Sequence, residues 1–224
     1  MQHIFKKGKQ KMTKIIALNG SPRRTWNTAQ MVEAAVRGAA DAGAECELIH
    51  LTDLKYTGCL SCFGCKRLGG KSFGRCALRD DLTEVLEKIL TADGVIIGAP
   101  VYFGDVTGMV RNLFERIWFP GLLYSKDGSI AYTKKVKTAL IYTMNCPDEN
   151  FYKDLIGSHK ATFERLVGGT ETLCAVETWQ FDDYSKYAST MFDVEARKKR
   201  HEEVFPQDLQ KAFELGRRMA GSDA

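Results

Sequence analysis

Apolar residues along the chain occur either in short continuous runs or in longer stripes with a helical period. Continuous runs are typical of parallel strands that are covered on both faces. They predict five strands, at residues 15–18, 45–51, 95–99, 136–142 and 173–176. Stripes of apolar positions three and four residues apart predict helices at residues 27–42, 82–90, 109–118, 150–167 and 207–220. Asp81 and Glu84 have capping-box spacing at the start of the second helix.

The alternation of strands and helices predicts an α/β three-layer sandwich with a five-stranded parallel sheet. Right-handed crossovers place the loops that follow the strands at one edge, where ligands bind in such folds. Because the unusual motifs of this chain lie in those loops, we expect them to form one site. No repeat or linker divides residues 12–224, which we predict to be one domain, whereas the basic residues 1–11 predict a disordered extension.

The loop between the first strand and the first helix, LNGSPRRTWNT, is rich in groups that bind anions. A helix that begins at Asn27 presents unpaired backbone N–H groups and the positive end of its dipole. Further donors for a phosphate come from Ser21, Arg23, Arg24, Thr25 and Thr28. We therefore predict a phosphate site, with an ordinary turn capped by Asn27 as the alternative. The loop has neither the P-loop sequence nor the dinucleotide-binding glycine pattern.

Four of the seven cysteines follow the second strand: Cys59, Cys62, Cys65 and Cys76, with two, two and ten residues between them. The C-x2-C-x2-C spacing lets three thiolates converge on one cluster, as in bacterial ferredoxins, where a more distant cysteine completes the set. Zinc sites more often have two separated C-x2-C pairs. The residues leave three interpretations open: a [4Fe–4S] cluster, a zinc ion, or free or redox-active thiols.

Composition narrows the class of protein only slightly. The chain is 44% apolar and 27% charged, which is ordinary for a soluble globular protein. A net charge of +4 is too small to indicate nucleic-acid binding. No segment approaches the roughly 18 apolar residues of a membrane span. An odd number of cysteines without a secretory signal argues against a disulfide framework, so we expect a cytoplasmic protein.

The segments NGSPRRTWNT and APVYFGDVTGMVRNLFER, together with the cysteine cluster ending in RCALRDDL, resemble the NADPH-dependent FMN reductase and iron–sulfur flavoprotein family. The resemblance covers roughly residues 14–146 and implies a flavodoxin-like fold. It implies that the FMN phosphate is held by Ser21, Arg23, Thr25, Asn27 and Thr28. It also implies that the isoalloxazine ring is lined by Pro100, Val101, Tyr102, Phe103 and Gly104, with Thr143 and Met144 close by.

The chain departs from this family in two places. Glu115–Arg116 stands where the family often has an aspartate before the arginine, an exchange that keeps the charge. The family uses a compact four-cysteine motif for a [4Fe–4S] cluster, whereas the spacer before Cys76 is longer here. The longer spacer leaves open whether Cys76 completes a cluster, another thiol does, or none forms.

The resemblance implies a flavoprotein that uses NAD(P)H to reduce a quinone, a flavin or a protein acceptor. The alternative is a non-enzymatic electron-transfer protein, in which FMN and a cluster relay electrons to a ferredoxin-like partner. A homodimer or homotetramer is expected from the same resemblance. The sequence indicates no side chain as a general acid or base, because the flavin itself carries out such chemistry.

Overall fold

The computed structural model describes residues 12–221, so the extension predicted at residues 1–11 lies outside the described residues. Five parallel strands form the sheet in the order β2-β1-β3-β5-β6. They are β1 (Lys14–Asn19), β2 (Glu45–His50), β3 (Gly94–Tyr102), β5 (Lys137–Thr143) and β6 (Thr170–Ala175). The predicted α/β sandwich with a five-stranded parallel sheet is therefore confirmed.

A sixth strand, β4 (Asp105–Val106), was not predicted. It pairs antiparallel with the end of β3, where Val101 lies opposite Val106. Two residues are too few to produce a periodic pattern, so the sequence carries no signal for this strand. The tight hairpin between the two strands has left-handed backbone at Phe103 (φ 50°) and Gly104 (φ 84°).

Six helices occur among residues 12–221: α1 (Asn27–Asp41), α2 (Leu82–Thr91), α3 (Gly108–Gly121), α4 (Lys153–Leu166), α5 (Val194–Glu203) and α6 (Phe205–Ala220). Helices α1 and α6 cover one face of the sheet, and α2, α3 and α4 cover the other. Successive residues of β1 face opposite sides of the sheet, and both sides are buried, which explains why its apolar run is continuous. Ile16 and Leu18 belong to the core under α2 and α3, whereas Ile15 and Ala17 pack under α1 and α6.

The start of α2 corrects the predicted capping box. Asp81 makes no capping hydrogen bond and instead accepts one from the backbone N–H of Lys55 at 2.8 Å. Asp80 takes the capping role, because its carboxylate accepts from the Leu82 N–H at 3.2 Å. The Thr83 hydroxyl accepts in turn from the Asp80 N–H at 3.0 Å. The cap is thus formed one residue earlier than the spacing suggested.

Helices α1 and α6 cross at backbone-to-backbone contact through two glycines. A Cβ atom added to Gly38 would lie 1.8 Å from the carbonyl oxygen of Phe213, and one added to Gly216 would lie 1.8 Å from that of Ala35. This contact holds the last helix against the helix that follows the LNGSPRRTWNT loop. No helix among residues 12–221 is both long and apolar enough to span a membrane.

We expect Gly38→Ala to lower the free energy of unfolding by roughly 1–3 kcal/mol, because the added methyl group collides with a backbone that cannot rotate away. Gly157→Ala is the matched control, since nothing lies within 4 Å of its Cβ position on the exposed side of α4. That change should raise the stability by up to about 1 kcal/mol through helix propensity. Urea denaturation measures the free energy of unfolding of both variants. Equal changes in the two variants would contradict the close crossing of α1 and α6.

Candidate functional site

A cavity of about 360 Å³ opens at the carboxyl ends of β1, β3, β5 and β6. This volume lies within the usual range for small-molecule sites. Ten of the twelve residues predicted to hold a cofactor line it: Ser21, Arg23, Asn27, Thr28, Pro100, Val101, Tyr102, Phe103, Thr143 and Met144. Thr25 and Gly104 are exposed and do not belong to the wall. The loops after four parallel strands therefore meet at one cavity.

The loop after β1 is held close to the sheet by Gly20. A Cβ atom there would lie 2.0 Å from the Val110 side chain, so only glycine fits without a shift. The next residue, Ser21, is buried, and its N–H donates to the Asn19 side chain at 3.1 Å. The Ser21 hydroxyl accepts from the Arg23 N–H at 3.1 Å. These bonds curl the loop in front of the first turn of α1.

The N-terminus of α1 faces this cavity without a competing negative charge. Helix α1 begins at Asn27, has no side-chain cap and carries no acidic residue in its first turn. Its free N–H groups therefore keep their positive potential for an anion. The Arg23 guanidinium lies 3.8 Å above the Trp26 ring, and its Nη1 donates to the Gln180 carbonyl at 2.6 Å. A cation is thus held at the same rim.

Five further residues line the wall: Trp26, which lies in the predicted phosphate loop, and Asn145, Thr178, Trp179 and Gln180, which the sequence analysis missed. The Trp179 carbonyl accepts hydrogen bonds from Trp26 Nε1 at 2.8 Å and from Asn27 Nδ2 at 2.6 Å. These contacts tie the loop after β6 to the loop after β1. The topological rule used for the other strands would have located this loop, because it also follows a parallel strand.

The opposite wall is formed by the ends of β3 and β5. Tyr102 and Phe103 are exposed beside the cavity, and Phe103 is fully exposed despite its left-handed backbone. Thr28 and Thr143 are both buried, and their hydroxyls lie 2.7 Å apart. This bond connects α1 to β5 at the floor of the cavity. The cavity combines a polar, positively charged end with a planar aromatic rim.

The predicted single site is corrected in one respect: the cysteine loop lines a different cavity. All four cysteines of the motif, Cys59, Cys62, Cys65 and Cys76, border this second cavity, which shares no wall residue with the first. The remaining wall contains Leu60, Phe63, Phe119 and Pro120. The loop after β2 packs along α3, away from the ends of the other strands.

Left-handed residues and hydrogen bonds shape the cysteine loop. Ser61 (φ 50°) and Phe63 (φ 55°) alternate with the cysteines and turn the chain around the cavity. The Cys59 N–H donates to the Glu115 carboxylate at 3.1 Å. The Lys66 ammonium donates to the carbonyls of Phe119, Pro120 and Leu122 at the end of α3. Helix α3 therefore anchors this loop at two points.

Behind the cysteines lies a buried ion pair between Arg116 and Asp80. Arg116 donates through Nη1 and Nη2 to the two carboxylate oxygens at 2.8 Å and 3.1 Å, and through Nη1 to the Thr57 carbonyl at 3.0 Å. Burial is the largest single influence and raises the pKa of Asp80, but the hydrogen bonds and charge of Arg116, together with backbone hydrogen bonds at Leu82 and Thr57, lower the pKa overall. Arg116 borders the cysteine cavity, and its buried Nε has no hydrogen-bond partner among the described residues.

Among residues 12–221, no three His, Cys, Asp or Glu side chains lie close enough together to hold a single metal ion. Four cysteine thiols border the second cavity, together with mainly apolar residues. None of these four cysteines forms a disulfide bond. Burial raises the pKa of Cys65 and lowers the pKa of Lys66. The cavity that these thiols border has a volume of about 10 Å³. Thiolates are the usual ligands of iron–sulfur clusters, which contain more than one metal ion.

A larger open groove of about 710 Å³ lies between α3 and α4. Its walls are mainly apolar, and they include Trp118, Phe119, Leu122 and Ala161. Its wall also carries the hydroxyls of Ser61, Ser158 and Thr162 and the Arg165 guanidinium, but these groups lie within α4 or the cysteine loop and not at the N-terminus of a helix, where backbone N–H groups would bind a phosphate. The smaller cavity is therefore the better candidate for an anionic cofactor.

Comparison with known proteins shows which proteins this chain resembles. The sequence profile described as NADPH-dependent FMN reductase matches residues 13–143. An iron–sulfur flavoprotein of Archaeoglobus fulgidus is 41% identical over 103 residues, which are 46% of this chain and 48% of the relative. An iron–sulfur flavoprotein of Methanocaldococcus jannaschii is 40% identical over 103 residues, which are 46% of this chain and 51% of the relative. The chain spans about half the length of the curated relatives it matches.

A solved structure of an NAD(P)H:quinone oxidoreductase from Methanothermobacter marburgensis has a similar fold. The TM-score is 0.66, and the alignment covers 95% of this chain and all of the other chain, with 18% sequence identity. At this identity the similarity concerns the fold alone. It supports the flavodoxin-like architecture that the sequence motifs predicted.

We expect Asp80→Asn to lower the free energy of unfolding by roughly 3 kcal/mol at neutral pH, because it leaves the buried Arg116 charge without its partner. The lowered pKa of Asp80 means that this stabilisation is present above about pH 4 and is lost as the pH falls through the folded-state pKa. The variant should therefore lose less stability than the wild type on acidification.

Denaturation between pH 7 and pH 3 measures this difference. Asp182→Asn is the control, since Asp182 is an exposed loop carboxylate, and its effect should stay within about 0.5 kcal/mol. Parallel pH curves for the Asp80 variant and the wild type would contradict the role of the ion pair.

Proposed function

Because the chain belongs to the NADPH-dependent FMN reductase family, we propose that it is an FMN-dependent oxidoreductase that takes electrons from NAD(P)H. The observation that carries this proposal is the cavity at the sheet edge, where a phosphate-type loop meets an aromatic rim. The acceptor class is a quinone, a free flavin or a protein. NADH and NADPH are both candidates for the donor.

The phosphate end of FMN would be held by the loop after β1 and the start of α1. Ser21 offers a hydroxyl, Arg23 offers a cation, and the first turn of α1 offers unpaired N–H groups. Thr28 and Asn27 lie deeper in the same wall. We propose that Thr25, although exposed, contributes at most through its backbone.

The ring of FMN would be lined by the segment from Pro100 to Phe103, with Thr143 and Met144 at the floor. Bound FMN supplies hydride and electron transfer, which no side chain of this chain performs. The protein orients the cofactor: the Thr28–Thr143 contact fixes the floor, and the hairpin at Phe103 fixes the rim. We propose that Gly104 acts by allowing this hairpin rather than by touching the ring.

We further propose that Cys59, Cys62, Cys65 and Cys76 hold a [4Fe–4S] cluster. All four border one cavity whose wall is mainly apolar, with the Lys66 ammonium beside it, Arg116 paired with Asp80 behind it, and the Glu115 carboxylate held by the Cys59 N–H. Positive groups and apolar surroundings are the features that stabilise an anionic thiolate cluster. A zinc ion or free thiols would be revealed by the metal analysis described below.

A second candidate function is electron transfer between proteins without nicotinamide oxidation. It is favoured by the surface around Cys62, which is itself exposed and lies between the exposed side chains of Leu60 and Phe63. An exposed apolar patch beside a redox group suits a transient protein partner such as a ferredoxin. Rapid oxidation of NADPH or NADH by the holoprotein would exclude this candidate, whereas fast reduction only by reduced ferredoxin would support it.

The assembly and the location of the protein also stay predictions. We propose a homodimer or homotetramer in the cytoplasm that acts on small redox molecules and binds neither nucleic acid nor membranes. Sedimentation of the holoprotein measures the number of subunits directly.

We expect Ser21→Asp to abolish FMN binding, because a buried carboxylate would face the phosphate and repel it. Ser21→Asn is the matched control, since an asparagine side chain has the same size as an aspartate side chain and carries no charge. FMN fluorescence quenching measures both dissociation constants, and circular dichroism checks that both variants are folded. If the two variants bind FMN equally well, the phosphate does not lie at this loop.

We expect Cys62→Ala to remove most iron and acid-labile sulfide from anaerobically purified protein while FMN stays bound, because the two cavities share no wall residue. Cys174→Ala is the control, since Cys174 lies in β6 outside the cysteine cavity. Iron analysis and the visible spectrum report the result. Unchanged iron in the Cys62 variant would show that the ligand set is wrong.

A further inference from the structure

His159 is a buried polar residue that neither cofactor cavity contains. It lies on α4, is 2% exposed, and is surrounded by the rings of Phe114, Trp118 and Tyr142. A phenylalanine or leucine would fill such a position without the desolvation of two ring nitrogens. The presence of a histidine therefore calls for partners on both nitrogens.

The two partners define the tautomer of His159. Its Nδ1 lies 3.1 Å from the Tyr142 hydroxyl, and its Nε2 lies 3.7 Å from the Asp105 carboxylate. Burial raises the pKa of Tyr142, so this hydroxyl keeps its proton and can donate to Nδ1. The carboxylate can only accept, so the hydrogen of the neutral ring belongs on Nε2.

The charged state of His159 is disfavoured by its surroundings. Burial, the largest influence, lowers the pKa of the imidazole, and Arg111 on α3 lowers it further, whereas Asp105 on β4 raises it. The net direction is downward, so the ring is neutral at neutral pH. A neutral ring donating toward a carboxylate forms a directed chain from Tyr142 through His159 to Asp105.

Each end of this chain adjoins a residue of the cavity wall, although neither Tyr142 nor Asp105 lines the cavity itself. Asp105 pairs with Tyr102 across the hairpin, and its carboxylate also accepts from the Val106 N–H at 2.7 Å. Tyr142 directly precedes Thr143, which meets Thr28 at the floor of the cavity. Val106 anchors the returning strand of the hairpin in the core, whereas the tip at Phe103 and Gly104 is left-handed and exposed and has no packing of its own to hold it.

We propose that His159 is a positioning residue for the cofactor-contacting hairpin 102–105, which it holds against β5 through Asp105 and Tyr142. The part that concerns FMN rests on the proposed function, whereas the attachment of the hairpin can be tested in the FMN-free protein. At 3.7 Å the neutral Nε2–H faces the Asp105 carboxylate without a hydrogen bond, so the attraction is that of a dipole for a charge. His159 thus acts through Asp105 and does not touch the cofactor.

The test compares His159→Phe, which keeps a ring of similar shape, with His159→Gln, which keeps an amide donor. Hydrogen exchange of the FMN-free proteins is followed in the peptides that contain residues 101–106 and in those that contain β1. In His159→Phe, exchange should rise severalfold at 101–106 and stay unchanged at β1. In His159→Gln, exchange at 101–106 should remain close to that of the wild type.

FMN affinity supplies the second readout. The dissociation constant should rise about tenfold in His159→Phe, as expected for one lost polar contact of this kind, and less than threefold in His159→Gln. Asp105→Ala, which removes the acceptor at a partly exposed residue, should reproduce the effect of His159→Phe. Combining it with His159→Phe should then add little, because both changes break the same contact.

Each outcome decides the proposal. Unchanged exchange at 101–106 in both His159→Phe and Asp105→Ala, additive effects in the double variant, or a rise in exchange across β1 as well would overturn the positioning role. If the wild type fails to bind FMN, the proposed function fails, and the exchange data still decide whether His159 holds the hairpin. If His159→Phe does not fold, Asp105→Ala alone provides the same comparison.

Discussion

Burial of both faces of one parallel sheet is the constraint on which the other features of this protein depend. Ile16 and Leu18 face one core while Ile15 and Ala17 face the other, so a one-residue slip of β1 would move each set into the opposite core. With helices on both faces, the loops after the strands are confined to the carboxyl edge of the sheet. This confinement gathers residues distant in sequence, such as Ser21, around one cavity.

Helix α3 connects the two cavities mechanically. It begins directly after the hairpin of β3 and β4, where the Thr107 hydroxyl donates to the Gly20 carbonyl at 2.8 Å. Its last carbonyls accept from Lys66 of the cysteine loop. A helix of 14 residues is about 21 Å long, so it separates its two ends by a fixed distance. The cofactor rim and the cysteine loop are therefore positioned by one rigid element.

Polar groups at the two cavities are stabilised in different ways. Around the cavity at the sheet edge, side chains such as Arg23 and Trp26 bond to backbone carbonyls of the loop after β6, which leaves the helix N–H groups free for an anion. Behind the cysteines, Arg116 is buried and neutralised by Asp80, an arrangement that costs desolvation energy.

Some of the candidate site could be predicted from the sequence because its signals are local. The LNGSPRRTWNT loop and the cysteine spacing are contiguous motifs, and ten of the twelve predicted cofactor residues do border one cavity. Asn145, Thr178, Trp179 and Gln180 were missed because they carry no distinctive pattern of their own. The short strand β4 was missed because two residues form no periodic signal.

By itself, the sequence determined the order of strands and helices and the chemistry of each loop, because burial on a strand or helix leaves a period of apolar residues that can be counted. Only the tertiary structure decided that the cysteine loop packs along α3 instead of joining the other loops, and that Asp80 rather than Asp81 caps α2. It also decided that His159 lies between Tyr142 and Asp105. These outcomes depend on contacts between distant residues, which no local pattern records.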